Sequence, residues 1–115
     1  MTEPTIDRAT FDELKEAAGA EFVLELVDTF LAEAPLLLDE LRRSFAKSEA
    51  DTFRRAAHSL KSNANTFGAQ TLGAMAKELE LGGLAPVVAA NGQSIDALAQ
   101  EYARVAAALT ELRDA

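Results

Sequence analysis

Apolar residues along this chain recur at steps of three and four, so every periodic segment predicts a helix and none predicts a strand. Thr10-Phe11-Asp12-Glu13 has the form of a capping box and predicts a short helix that Gly19 closes. A long segment follows, with Phe22, Leu26, Phe30, Ala34, Leu37, Leu41 and Phe45 as its apolar stripe. Pro35 interrupts it. Proline removes one backbone hydrogen bond and clashes with the preceding turn, so the segment is expected to kink between Leu31 and Pro35 or to split there. The stripe keeps its phase across the proline, which favours one kinked helix.

The next stripe is Phe53, Ala57, Leu60, Ala64 and Phe67, predicting a helix from about Glu49 to Phe67 with Ser48 or Asp51 as its cap. Gly68 marks its end or a close packing point. Leu72, Met75, Ala76 and Leu79 carry a further helix from Gln70 to Leu81, stopped by Gly82-Gly83. Leu84 to Gln93 contains Pro86 and Asn91-Gly92 and reads as a connection with a helical turn. The last helix starts after Ser94, on the seam Ile95, Leu98, Tyr102, Val105, Leu109 and Leu112. The expected fold is all-α: an antiparallel four-helix bundle with a short extra N-terminal helix, one domain over residues 1–115.

Composition narrows the chemistry. Among 115 residues, 49% hydrophobic, there is no cysteine, which excludes disulfides, zinc-thiolate sites and iron-sulfur clusters. The first residues, Met1-Thr2-Glu3-Pro4-Thr5, are polar, and no apolar run of about 18 residues exists to span a bilayer. A soluble, cytoplasmic monomer with no membrane partner is expected. The net charge of −8 argues against nucleic acid, whose binding draws on Lys and Arg. The charge is uneven, however: residues 42–61 hold six basic side chains against Glu49 and Asp51, a net +4 inside an acidic chain. Such an island can steer an acidic partner.

Within that island lies His58, the only histidine. The polar residues Arg54, His58, Lys61, Ser62 and Asn65 fall between the buried positions of their helix, so His58 points outward with Lys61 at i+3 and a small Ser62 at i+4. An exposed imidazole beside a fixed cation suits the carriage of a phosphoryl group. A lone histidine on a helix is, without context, more often an ordinary surface residue. One histidine and no cysteine cannot supply the usual haem or zinc ligand sets. Nor is there a G-x-x-x-x-G-K or other glycine-rich phosphate loop, so autonomous kinase activity is not expected.

The run Ala57-His58-Ser59-Leu60-Lys61-Ser62-Asn63-Ala64-Asn65-Thr66-Phe67-Gly68-Ala69 resembles the signature of histidine-containing phosphotransfer (HPt) domains, A-H-x-L-K-[GS]-S-x-x-x-x-G-A. It departs at Asn63, where the family has a small serine or alanine. The acidic N-terminal helix, the long helix with a central proline, and Leu79-Glu80 twenty-two residues beyond the histidine also fit.

The resemblance implies a phosphorelay carrier. His58 would take a phosphoryl group from an aspartyl-phosphate on a response-regulator receiver domain and pass it to another, in a pathway fed by a hybrid histidine kinase. Neutral imidazole is a competent nucleophile. Lys61 would lie beside the phosphoryl oxygens, and Glu80, by the family's pattern, would bond the other imidazole nitrogen and fix its tautomer. Ser62 would matter by its size, since a long residue there would lean over the imidazole. Arg54, Arg55, Ser62 and Asn65 are candidates for the partner's rim, and Gly68 for close approach of the following segment. No cofactor or metal is expected on this chain; the magnesium of such transfers belongs to the receiver's acidic pocket. A purely structural helical interaction module is the alternative, and labelling by a phosphorylated receiver separates the two.

Overall fold

The computed structural model describes residues 5–89 and 92–114, and among them there are six helices and no strand. They are α1 (Arg8–Ala18), α2 (Ala20–Lys47), α3 (Ala50–Thr66), α4 (Gln70–Gly82), α5 (Leu84–Ala89) and α6 (Gln93–Asp114). Helices α2, α3, α4 and α6 close a four-helix bundle, each packed on two of the others, while α1 lies against α2 and α3. Cross-links fix the directions. Arg42 of α2 bonds Asp96 near the start of α6, and Asp28 of α2 bonds Arg113 near its end, so these helices run antiparallel.

The core is one continuous apolar cluster. All five residues of the α3 stripe (Phe53, Ala57, Leu60, Ala64, Phe67) are buried, with Ala56 beside them. Burying a side chain the size of Leu60 or Phe53 contributes roughly 1.5–3 kcal/mol, which is why the outward face of α3 is so firmly specified.

On α2 the expected stripe is partly corrected. Val23, Val27, Phe30, Ala34, Leu38 and Leu41 are buried, whereas Phe22 is 51% exposed and Leu26, Leu37 and Phe45 are only half-buried. Apolar residues on this helix occupy two neighbouring stripes, and periodicity alone does not say which one meets the core. The helix runs unbroken through Pro35. Proline at that position cannot donate to the Leu31 carbonyl, and the Tyr102 hydroxyl of α6 donates to it instead, at a long 3.5 Å. The Tyr102 ring meets Phe30 edge-on, and Phe30 in turn packs on Phe67.

Helix ends also differ from expectation. The first helix begins at Arg8, ahead of the Thr10 capping box, because buried Ile6 and the bond from Asp7 N–H to the Gly68 carbonyl (2.8 Å) anchor the chain earlier. Thr10 sits inside the helix and donates its hydroxyl to the Asp7 carboxylate at 2.6 Å. Neither Ser48 nor Asp51 caps α3. Ser48 terminates α2 in the left-handed region (φ 58°), Glu49 takes the cap position, and Asp51 bonds Arg54. The connection after Gly83 holds a six-residue helix, α5, where a single turn is expected. Ala90 and Asn91, which include part of the expected Asn91-Gly92 turn, lie outside the described residues. No helix among the described residues is long and apolar enough to cross a membrane.

Candidate functional site

His58 stands at mid-length on α3 with its side chain 60% exposed. Its neighbours on α3 at i−1 and i+2, Ala57 and Leu60, are fully buried, so the helix cannot rotate without uncovering the core. Antiparallel packing brings α4 alongside, and Glu80 faces the histidine across the two helices. Glu80 Oε2 lies 2.7 Å from His58 Nδ1, and Oε1 lies 2.7 Å from Lys61 Nζ. The Glu80 side chain is 16% exposed and that of Lys61 25%, so the carboxylate is sheltered while the imidazole it holds is not. Oε1 is buried, and the ammonium meets it as an ion-pair contact rather than a well-angled hydrogen bond.

These contacts favour the ionised form of Glu80. The Lys61 ammonium first, and the His58 hydrogen bond after it, outweigh the opposing effect of burial and hold the carboxyl below its ordinary range. An ionised carboxylate only accepts hydrogen bonds, so the neutral imidazole carries its proton on Nδ1 and donates it to Glu80. Nε2 is then left with its lone pair free on the exposed side of the ring. That is the arrangement of an oriented nucleophile.

A groove of about 480 Å³ runs beside the imidazole between α2 and α3, lined by Glu33, Leu36 and Leu37 from α2 and by His58, Ser59, Ser62 and Asn63 from α3. It continues along the same helix pair toward Leu26, Thr29 and Phe67. Of the positions expected from sequence, His58, Lys61 and Glu80 converge, and Ser62 shares the groove. Asn65 is exposed two turns beyond the histidine and does not line the groove. Its amide packs over Gly73 of α4, where a side-chain carbon would collide with it. Arg54 and Arg55 are exposed one turn before the histidine, Arg54 being paired with Asp51 at 2.6 Å.

Gly68 does provide a close approach, but to the N-terminal segment rather than to the following one: a Cβ there would come within 2.8 Å of the Asp7 carbonyl, and its φ is +82°. The α2 wall of the groove was not expected from sequence. Its signal was present, because the three successive leucines Leu36, Leu37 and Leu38 cannot all face one side of a helix. Leu38 is buried and Leu36 is 66% exposed.

The family model described as the Hpt domain matches residues 25–115 of the chain. The chain belongs to the Hpt domain family. A solved structure superposes on this Hpt domain with a TM-score of 0.81 and 26% sequence identity, covering 98% of this chain and 97% of its own: histidine-containing phosphotransfer protein B (HptB) from Pseudomonas aeruginosa PAO1. No curated protein matches the chain. Histidine phosphotransfer within phosphorelays is the function of this Hpt domain. Hpt proteins are carriers rather than kinases, and they work with the receiver domains and kinases of two-component systems.

Proposed function

We propose that His58 is the carrier residue and that Nε2 is the atom that bears the phosphoryl group, received from and returned to the aspartate of a response-regulator receiver domain. The observation that carries this reading is the 2.7 Å bond between Glu80 and Nδ1 of the only histidine, which leaves Nε2 as the free lone pair. In the forward step Nε2 attacks phosphorus, a P–N bond forms, the P–O bond to the receiver aspartate breaks, and the aspartate leaves as a carboxylate. The ring keeps its Nδ1 proton and becomes cationic. Glu80, already ionised, offsets that charge with no rearrangement. Return of the group reverses each change.

Lys61 supplies a second electrostatic element. It rests against Glu80 in the free protein, and a phosphoryl group on Nε2 offers its ammonium a new anionic neighbour, a charge-assisted contact worth roughly 1–3 kcal/mol. The receiver seats over the α2–α3 groove, so that His58 enters its phosphorylation pocket, and the magnesium of the transfer is held by the receiver. No kinase step is assigned to this chain; a hybrid histidine kinase upstream supplies the phosphoryl group.

Incubation with a phosphorylated receiver domain tests the assignment. Acid-labile, base-stable label is expected on the wild-type chain and none on His58→Gln, whose helix content and melting temperature stay near wild type because the side chain contributes little to the core. Label retained by His58→Gln overturns it.

A further inference from the structure

The groove beside His58 carries an acid that the phosphoryl-transfer chemistry does not use. Glu33 is exposed on α2 and lines the groove together with apolar Leu36 and Leu37, and among the described residues it makes no hydrogen bond or ion pair. Its unused state contrasts with Glu80, which holds two partners at 2.7 Å. Nothing in the transfer geometry calls for a carboxylate on this wall. A partner that brings an acidic phosphorylation pocket down over His58 would press Glu33 against like charge and strip it of water, and an unpaired carboxylate in a closed interface is strongly unfavourable.

We infer that Glu33 is a specificity-determining residue of the docking surface: the receiver domain that fits this groove presents a basic side chain opposite Glu33, flanked by an apolar residue that covers Leu36. Receivers lacking that cation are rejected by the desolvated, uncompensated charge, while Arg55, exposed one turn before His58, meets the acidic side of the same partner. Opposite charges around the histidine orient the partner as well as select it.

This inference rests on receiver docking over the groove. The test uses the full chain as wild type, Glu33→Gln, Glu33→Lys and, as a control of equal charge change on an exposed part of α1, Glu16→Lys. A panel of purified receiver domains is phosphorylated with acetyl phosphate, and kcat/KM for transfer to each variant is measured at low and high salt. Phosphoramidate, a small donor that needs no docked partner, reports separately whether His58 is intact. For the receiver that wild type prefers, Glu33→Lys is expected to lower kcat/KM about tenfold at low salt, mainly through KM, with Glu33→Gln intermediate and Glu16→Lys near wild type. Equal kcat/KM for the Glu33 series and wild type, or a gain for Glu33→Lys with that receiver, overturns the inference. The panel includes receivers with a basic side chain beside the phosphorylation pocket, and failure of every one of them to label a wild-type chain that phosphoramidate does label overturns instead the phosphorelay reading beneath it.

Discussion

At the scale of single residues, one carboxylate organises the site: Glu80 ties Lys61 and His58 together from the facing helix, each at 2.7 Å. Both contacts favour the charged form, the Lys61 ammonium most, so the folded protein holds this carboxyl below the ordinary glutamate value of 4.5. A depressed folded value means that the contribution to stability is fully present above the unfolded value and is lost as pH falls through the folded one. Comparing melting temperatures of wild type and Glu80→Gln across pH is therefore expected to give a gap above pH 4.5 that closes on further acidification. A gap that persists unchanged to the lowest pH at which both fold would show that the ionised form is not what the contacts favour. His58, Lys61 and Glu80 were each legible in the sequence, the first two from their stripe on a strongly periodic helix and the third from its offset in the family pattern. Glu33 was not, because an acidic residue on an exposed helix face gives no local sign that a groove lies beside it.

At the scale of elements, α3 was readable because its apolar residues form a single stripe, and α2 was misphased because Phe22, Leu26 and Leu37 compete with Val23, Val27 and Leu38 for the core. Only the facing helices decide between two such stripes. The continuity of α2 across Pro35 was expected from that phase; the Tyr102 hydroxyl on the carbonyl that proline leaves unbonded was not, since it pairs residues seventy-one positions apart. Two glycines separate helix packing of different kinds. At Gly68 an added Cβ would meet rigid Asp7 backbone and the φ of +82° disfavours any side chain, whereas at Gly73 it would meet only the tip of the Asn65 amide, which can swing away. Gly68→Ala is thus expected to lower unfolding free energy by about 1–3 kcal/mol and Gly73→Ala by about 1 kcal/mol or less, measured by urea denaturation. Equal losses would mean that the α3–α4 contact at Asn65 is as unyielding as the backbone contact at Gly68.

At the scale of the whole molecule, the bundle presents an exposed imidazole at the edge of an open groove, with its second nitrogen anchored from behind. Ser62 lines that groove and is exposed, off the buried stripe. Ser62→Trp is accordingly expected to leave the far-ultraviolet spectrum and phosphoramidate labelling of the bundle near wild type while reducing transfer from a phosphorylated receiver by tenfold or more, since a large ring leans over the imidazole and fills the docking space. Undiminished transfer would place the partner on another face. The central claim is narrower than docking: His58 bears the phosphoryl group on Nε2 because Glu80 occupies Nδ1. Its most direct test is phosphorus–nitrogen correlation by NMR on uniformly nitrogen-15-labelled protein loaded from a phosphorylated receiver. Phosphorus coupled to Nε2, with the Nδ1 proton retained, is the expected result; phosphorus bonded to Nδ1, or to oxygen on any side chain, would contradict it.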